Sequence, residues 1–246
     1  MICAIIQARM GSTRLPGKMM RLIQNKTLLE LVIKRVKKTE YVDKVILATT
    51  SLPDDEILLN QATKYGIDCF IGSPNDVLDR YYQCAKAFQA TTVVRITGDC
   101  PLIDPVVIDQ VIRLYQDKQV DYSSNFHPPT YPNGLDVEVF SFHALEKAWN
   151  EAQLPSEREH VTPYIWKHPA LFPSANLAYK ENLSHIRITI DQEEDLITVN
   201  QVVGDKNPEF ISLDDISSRI KNDPSLCSPN SHITRNEGYK KSVESD

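Results

Sequence analysis

Short apolar runs alternate with helix-length segments through the first half of the chain. The runs cover residues 2–7, 44–49, 67–70 and 93–97, and residues 28–38 and 54–65 carry the apolar periodicity of helices. This alternation predicts an α/β fold in which a mostly parallel central sheet is covered by helices on both faces. The 246 residues, 41% of them hydrophobic, are enough for one such domain.

We expect that domain to span residues 1–221 and a C-terminal tail to span residues 222–246. The tail lacks apolar periodicity, so we expect it to be loose or docked as an arm. Residues 122–134 are rich in proline and predict a long loop, whereas residues 135–140 (LDVEVF) alternate as a strand. Residues 122–140 are therefore a candidate lid or dimerisation insert.

Two acidic residues follow expected strands. Asp99 comes after the run at 93–97 and precedes a helix that Asp104 and Pro105 begin. Asp191 comes after an expected strand at 185–190 and precedes a helix near Glu193. Ligands of open α/β sheets gather at the carboxyl ends of the strands. We therefore expect both carboxylates to lie close to the loop that follows the first strand.

That loop, residues 8–18 (ARMGSTRLPGK), combines the cations Arg9, Arg14 and Lys18 with glycines and small hydroxyl residues. Backbone N–H groups at residues 11–13 and these cations suit a triphosphate. A P-loop is excluded, because five residues instead of four separate Gly11 from Gly17 and Met19 stands where Ser or Thr would bind magnesium. The alternative is a solvated loop whose arginines pair with nearby carboxylates.

The acidic pair Asp99 and Asp191 suits a divalent cation. Mg²⁺, or Mn²⁺ in its place, prefers oxygen ligands and is usually held by one or two carboxylates together with substrate phosphates. For Asp191 the alternative is a helix N-cap. Cys100 lies beside Asp99, and we expect it to pack in the core without a catalytic role.

Composition excludes several classes of protein. The net charge of −6, from 27 basic and 33 acidic residues, gives no field that would hold nucleic acid. Five cysteines without CxxC spacing argue against a disulfide framework and a structural zinc site. Because there is no leader pattern and no long apolar run, we expect a cytoplasmic protein without membrane insertion.

Five motifs carry a family resemblance: AIIQARMGSTRLPGK at 4–18, RITGDCPLIDP at 95–105, NGLDVEVF at 133–140, EREHVTPYI at 157–165 and RITIDQEEDL at 187–196. In this order they resemble the cytidylyltransferases that make CMP-activated acidic sugars, the CMP-Kdo and CMP-sialate synthetases. Within that family the resemblance is closest to the spore-coat polysaccharide biosynthesis protein F-like branch. It covers roughly residues 1–205.

The resemblance implies a Rossmann-like three-layer nucleotidyltransferase fold of the glycosyltransferase A type and a homodimer. It implies transfer of CMP from CTP to an ulosonic or nonulosonic acid, with release of pyrophosphate, for surface polysaccharide synthesis. Asp99 and Asp191 would hold the catalytic magnesium, while Arg14 and Lys18 would neutralise the leaving pyrophosphate. The expected nucleotide-binding residues are Ala8, Arg9, Gly11, Ser12, Thr13, Arg14, Lys18, Ser73, Arg80, Arg95, Thr97 and Gly98.

Some of these residues have other interpretations. Arg80 could form a surface ion pair with Asp76, and Arg95, inside a strand, could anchor an internal salt bridge. The expected acceptor-binding residues are Asn133, Asp136, Glu138, Glu159 and His160.

The sequence departs from the family at Glu159-His160, where Kdo and sialate synthetases commonly carry Glu-Gln. A histidine there could bind an anion when protonated, take a hydroxyl proton when neutral, or be a surface helix residue. We expect the start of this helix, around Glu157, to offer backbone donors to an anion.

Three alternatives to the acidic-sugar cytidylyltransferase remain open at this point. The acceptor could be a phosphorylated sugar or polyol, attacked through a phosphate oxygen. The chain could be a glycosyltransferase that uses a finished nucleotide sugar, although Asp99-Cys100-Pro101 is not a DxD pair. It could also be a nucleotide-sensing module without catalysis.

Overall fold

The computed structural model describes residues 1–246 and is a three-layer α/β structure around a seven-stranded sheet. The strands are β1 (Ile2–Gln7), β2 (Leu22–Ile23), β3 (Lys26–Thr27), β4 (Lys44–Thr50), β5 (Asp68–Gly72), β6 (Thr92–Thr97), β7 (Tyr122–Ser124), β8 (Glu138–Ser141) and β9 (Ser174–Asn176). The helices are α1 (Leu28–Val36), α2 (Glu56–Tyr65), α3 (Val77–Ala87), α4 (Pro105–Lys118), α5 (Phe142–Glu151), α6 (Pro155–His160), α7 (Pro163–Trp166), α8 (Glu193–Val203), α9 (Leu213–Asn222) and α10 (Glu237–Val243).

The sheet has the strand order β5-β4-β1-β6-β8-β7-β9, and β2 with β3 forms a separate hairpin. β1 pairs in parallel with β4 and with β6, so their carboxyl ends lie side by side. β8 is the reversed strand, because it is antiparallel to both of its neighbours. The predicted fold class is confirmed: a mostly parallel sheet lies between helices.

Two separate apolar cores lie on the two faces of the sheet. Along β1, Ala4 and Ile6 belong to one core, whereas Cys3 and Ile5 belong to the other, and all four are fully buried. Successive side chains of a strand point to opposite faces, so a continuous apolar run is what a doubly covered strand requires. Helices α1, α4, α8 and α9 pack on the first face, and α3 and α5 pack on the second.

The structure corrects two expected boundaries in the middle of the chain. The first three residues of the expected loop at 122–134 form β7, an internal strand between β8 and β9. A strand of this length is too short to show a periodicity of its own. The strand expected at 135–140 starts only at Glu138 and runs to Ser141.

The prediction of a strand at 185–190 is wrong, since Arg187 makes only an isolated bridge with Asn133. The backbone N–H groups of Ile188 and Thr189 both donate to the carbonyl of Asn133, and that of Ile190 donates to Asp99. Gly134 has φ +113°, and a Cβ there would lie 2.6 Å from the nitrogen of Thr189. Residues 185–190 therefore pack directly against the loop at Asn133 and Gly134 and do not pair with a strand of the sheet.

The C-terminal segment beyond α9 lies against the domain. It contains a short 3₁₀ turn at Pro224–Cys227 and then α10, which packs against α6. We call residues 229–246 the C-terminal arm. None of the helices is long and apolar enough to cross a bilayer.

Candidate active site

A cavity of about 500 Å³ lies at the carboxyl ends of β1 and β6. Its walls come from the loop after β1, the loop after β6, residues 126–127, 133–138 and 187–191, the segment from α6 to α7, and the C-terminal arm. This is the edge of a parallel sheet at which ligands are expected. Asp99 and Asp191 both line it as expected, although Asp191 reaches it from the irregular segment at 185–190 and not from the end of a strand.

The loop after β1 is held by a carboxylate that the sequence did not single out. Asp55 is almost fully buried, and its Oδ1 accepts the backbone N–H of Met10 at 2.6 Å. Ser12 Oγ accepts the N–H of Leu15 at 3.3 Å, and Gly17 takes the left-handed conformation with φ +67°. Lys18 follows at the start of a 3₁₀ turn. Its position is therefore set by the local turn structure and not by a free loop.

Lys18 lies at the centre of a charged cluster that also contains Arg14, Asp99, Arg187 and Asp191. Its Nζ is 2.9 Å from Asp191 Oδ1 and 3.3 Å from Asp99 Oδ2. Burial opposes the ammonium charge, but the two carboxylates outweigh it and raise the pKa of Lys18 above its ordinary value. Lys18 is therefore cationic, and the carboxylates of both loops converge on one positive charge.

Asp191 is surrounded by cations. Besides Lys18, the guanidinium of Arg14 lies 3.3 Å from its Oδ1 and that of Arg187 lies 3.0 Å from its Oδ2. Burial raises the pKa of Asp191, but these three cations outweigh it and hold the pKa below its usual value. The alternative role as a helix N-cap is not what the structure shows, because Gln192 holds that position.

Asp195 organises this loop, although the sequence analysis did not identify it. Its carboxylate is fully buried and accepts from Arg187 Nε at 2.7 Å and from the backbone N–H groups of Asp191 and Gln192 at 2.9 and 3.1 Å. Asn230 of the C-terminal arm donates to it at 2.9 Å. The sequence carries no standard capping-box signature here, because Gln192 stands at the N-cap in place of Ser or Thr and its side chain makes no cap hydrogen bond.

The residues fit a divalent cation held together with a substrate. Asp99 and Asp191 present carboxylate oxygens to a common point, which Lys18 Nζ marks. The structure shows no group of three or more His, Cys, Asp or Glu side chains that could hold a metal ion. Two carboxylates with phosphate oxygens are nevertheless a common arrangement for Mg²⁺.

Gly98 allows the two loops to touch. A Cβ on this residue would lie 2.8 Å from the sulfur of Met19 and 3.1 Å from both Ala8 Cβ and the carbonyl oxygen of Gln7. The absence of a side chain therefore lets the chain after β6 pack on the end of β1.

Cys100, two residues after Gly98, is buried, and burial raises the pKa of its thiol well above the usual value. The thiol is thus neutral, as expected for a packing residue.

Most of the predicted nucleotide-binding residues line this cavity: Ala8, Arg9, Gly11, Ser12, Thr13, Arg14, Lys18, Arg95, Thr97 and Gly98. Ser73 and Arg80 do not. Arg80 is 1% exposed, and its guanidinium donates to the carbonyl of Ser73, which keeps both residues in the supporting wall. The alternative pair of Arg80 with Asp76 is also not formed, because Asp76 pairs with Arg158.

All five predicted acceptor residues line the cavity: Asn133, Asp136, Glu138, Glu159 and His160. Glu138 is 2% exposed, accepts from Arg95 at 2.6 Å and accepts from the hydroxyl of Tyr122 at 2.7 Å. Arg95 therefore forms the internal salt bridge that was one of its two interpretations. Asp136 pairs with Arg235 of the C-terminal arm.

His160 is electrically neutral. Burial, followed by the positive charge of Arg95, lowers its pKa to about 4. Its Nε2 shares a hydrogen bond of 3.0 Å with Ser242 Oγ, and its ring meets Tyr239 edge-on. His160 ends the six-residue helix α6, so the helix N-terminal donors expected to face an anion lie at the opposite end from it.

The C-terminal arm supplies cavity residues that no sequence motif indicated. Asn236, Glu237, Gly238, Tyr239 and Ser242 all line the cavity. Glu237 Oε2 lies 3.5 Å from a guanidinium nitrogen of Arg14. Their contacts join positions far apart in the chain, and such contacts leave no local pattern.

Comparison with known proteins identifies relatives of the whole domain. The family model described as "Cytidylyltransferase" matches residues 3–216. The spore coat polysaccharide biosynthesis protein SpsF of Bacillus subtilis is 35% identical over 206 residues, which covers 79% of this chain and 82% of SpsF. The 3-deoxy-manno-octulosonate cytidylyltransferase of Solibacter usitatus is 37% identical over 183 residues, or 70% of each chain.

A solved structure agrees with these matches. A cytidylyltransferase from Leptospira borgpetersenii has a TM-score of 0.87 and 35% sequence identity to this chain. The alignment covers 92% of this chain and 96% of that one.

Proposed function

Because this chain belongs to the cytidylyltransferase family and is a nucleotidyltransferase, we propose that it transfers CMP from CTP to a hydroxyl group of a sugar acid. The sugar acid is of the ulosonic or nonulosonic class, and the second product is pyrophosphate. The supporting observation is the convergence of Arg14, Lys18, Asp99 and Asp191 in one cavity. The Bacillus subtilis relative is named as a spore coat polysaccharide biosynthesis protein, which supports a role in surface polysaccharide synthesis.

The triphosphate would lie on the loop after β1. Arg14 is 40% exposed and is the cation of the charged cluster that an incoming phosphate can reach most directly. Arg14 and Lys18 would neutralise the charge that develops on the leaving pyrophosphate, so their contribution is electrostatic and positional. No covalent protein intermediate is needed, which agrees with the neutral thiol of Cys100.

Asp99 and Asp191 would hold Mg²⁺, with Mn²⁺ as a substitute. When bound, the ion would neutralise phosphate charge and polarise the oxygens it touches. Arg187 and Asp195 fix the orientation of the Asp191 loop, and Thr189 Oγ1 donates to the carbonyl of Asp99 at 3.2 Å. The chain thus provides a rigid frame for both carboxylates before substrate arrives. Homodimer formation and cytoplasmic location stay predictions.

The test is release of pyrophosphate in the presence of Mg²⁺ with each common nucleoside triphosphate. The acceptors are 3-deoxy-manno-octulosonate, N-acetylneuraminate, sugar phosphates and polyol phosphates. We expect turnover with CTP and a sugar acid. Turnover only with phosphorylated acceptors would show that the acceptor is not a sugar acid. Transfer only from a finished nucleotide sugar would show that the proposed reaction, CMP transfer from CTP, is wrong. The matched variants are Asp99→Asn, which should be inactive, and Asp205→Asn, whose side chain is 87% exposed and which should be active.

A further inference from the structure

Both terminal nitrogens of the Arg14 guanidinium face a carboxylate. One nitrogen lies 3.3 Å from Asp191 Oδ1, and the other lies 3.5 Å from Glu237 Oε2. Asp191 belongs to the part of the chain that the family model matches, whereas Glu237 lies beyond the last matched residue, 216. A phosphate that binds Arg14 through two parallel hydrogen bonds, as a guanidinium fork favours, has to displace one of these carboxylates.

Glu237 presents a negative charge to Arg14 from the wall of the cavity. It is the first residue of α10, and its other carboxylate oxygen accepts from Lys241, one turn further along the helix. Lys241, and to a smaller extent Arg14, hold the pKa of Glu237 below its usual value, so its side chain is anionic. Glu237 and a triphosphate therefore compete for the same cation, and Lys241 remains as a partner for Glu237 when Arg14 is taken.

The helix that carries Glu237 is docked without a buried residue. Ser242 shares a hydrogen bond with His160, and the ring of Tyr239 meets the same histidine edge-on. Just after the helix, Asp246 accepts from the backbone N–H of Ser156 at 2.8 Å and from its hydroxyl at 2.6 Å. A segment that buries so little apolar surface opens at a low cost in free energy.

The part of the C-terminal arm before α10 is fixed to the domain. Asn230 is buried and donates to Asp195 at 2.9 Å, and Arg235 pairs with Asp136. The next residue, Asn236, is exposed and takes the left-handed conformation with φ +59°, which asparagine adopts more readily than most residues. Asn236 thus joins a fixed segment to a helix with no buried residue, and a hinge is expected at such a junction.

We propose that α10 is an autoinhibitory gate of the triphosphate site. In the closed state, which this structure shows, Glu237 holds Arg14 in place of a phosphate oxygen. In the open state α10 turns away about Asn236, and Arg14 is free for the triphosphate. The apparent Kd for CTP is then the Kd of the open state divided by the open fraction. This inference rests on the proposed function, because it takes Arg14 as a ligand of the triphosphate.

The first test removes the competing carboxylate. We expect Glu237→Gln to lower the Kd for CTP, measured by isothermal titration calorimetry with Mg²⁺ and without acceptor, by about three- to fivefold, the range that an exposed ion pair allows. The gain should shrink as salt is added, because salt screens exposed charges. The matched control is Glu244→Gln, an exposed carboxylate of the same arm that does not line the cavity, and its Kd should equal that of the parent.

The second test opens the gate without changing a charge or a residue of the cavity. Ser156→Ala removes the hydroxyl that donates to Asp246. Trypsin cleavage after Lys240 and Lys241 requires α10 to open, so its rate follows the open fraction. We expect this rate to rise about threefold and the Kd for CTP to fall by the same factor. The control Ser217→Ala, which removes the hydroxyl of a buried serine in α9, should change neither quantity.

The effect of CTP on cleavage of the parent decides the direction of the movement. We expect saturating CTP to speed cleavage after Lys240 and Lys241 and to leave cleavage after Lys221, an exposed residue of α9, unchanged. If CTP slows cleavage in α10, the helix is a lid that closes over the nucleotide, and the autoinhibitory gate is wrong.

The remaining outcomes separate the gate from the proposed function. If Glu237→Gln binds CTP with the parental Kd and the parent releases pyrophosphate from CTP with a sugar acid, the gate is wrong and the proposed function stands. If neither the parent nor Glu237→Gln binds a nucleoside triphosphate, the proposed function is wrong, and the gate is overturned with it.

Discussion

Asp195 gives a quantitative test of how the Asp191 loop is held. Its carboxylate is fully buried and faces Arg187, which is only 7% exposed. Asp195→Ala would leave that guanidinium without its main partner, and breaking a buried pair in this way costs about 3–5 kcal/mol of unfolding free energy. Arg187 keeps its contact with Asp191 at 3.0 Å, so we expect the lower end, about 3 kcal/mol.

Urea unfolding, followed by the fluorescence of Trp149 and Trp166, measures this loss. For a domain of this size, about 3 kcal/mol corresponds to a fall in Tm of roughly 6–12 °C. The control is Asp205→Ala, because Asp205 pairs with Arg219 at 3.1 Å but is 87% exposed. An exposed pair of this kind contributes at most about 1 kcal/mol.

A second variant tests the cause of the loss. Replacing both partners, as in Arg187→Met with Asp195→Leu, removes the uncompensated charge, so the double variant should be more stable than Asp195→Ala. If Asp195→Ala unfolds at the same urea concentration as Asp205→Ala, the buried carboxylate does not hold the loop and the reasoning is refuted.

Three other predictions follow from the site. Asp99→Asn should lower turnover by about a hundredfold or more while the unfolding midpoint stays at the parent value, and full activity in a pyrophosphate-release assay would contradict the role of Asp99. Gly98→Ala should cost about 1–3 kcal/mol in thermal unfolding, because the new methyl group would meet Met19 and Ala8; Gly11→Ala, with nothing within 4 Å of its Cβ, is the matched control and should unfold like the parent. His160 should remain neutral from pH 8 down to about pH 5 in NMR titration of the imidazole nitrogens, since its pKa in the fold is about 4 and that of an unfolded histidine is about 6.5. Between these two values the unfolded chain binds the extra proton, so His160 lowers stability as the pH falls, and a titration midpoint near 6.5 would show that the ring is not buried.

The parallel half of the sheet could be predicted because its strands are fully buried and therefore continuous in apolar residues. β1, β4 and β6 each begin or end within one residue of the expected run. β7 has only three residues and lies within a proline-rich stretch, so no periodicity indicated it. The segment at 185–190 has the composition of a strand but is buried by the loop around Gly134, whose close approach is a property of tertiary structure.

The sequence predicted most of the residues that line the cavity, but only some of the contacts between them. The sequence indicated that Asp99 and the loop cations would meet, because β1 and β6 are parallel neighbours whose carboxyl ends lie side by side. Asp191 lines the same cavity as expected, but no strand precedes it, so the reason expected for its position is wrong. Nothing in the sequence indicated that Arg235 pairs with Asp136 or that Asn230 supports Asp195, contacts that span 99 and 35 positions. Contacts of that range depend on how the C-terminal arm crosses the domain, and no local pattern of residues encodes them.

The charge balance of the cluster explains why a triphosphate and a divalent cation would bind together. Without substrate, Asp99 and Asp191 are compensated by Lys18, Arg14 and Arg187. A triphosphate on the loop competes for Arg14 and Lys18, and every contact it gains weakens one to a half-buried carboxylate. Those carboxylates then need another positive charge, because an uncompensated charge in a partly desolvated site is costly. We therefore expect CTP to bind more tightly with Mg²⁺ than alone, by an amount that should shrink in Asp99→Asn.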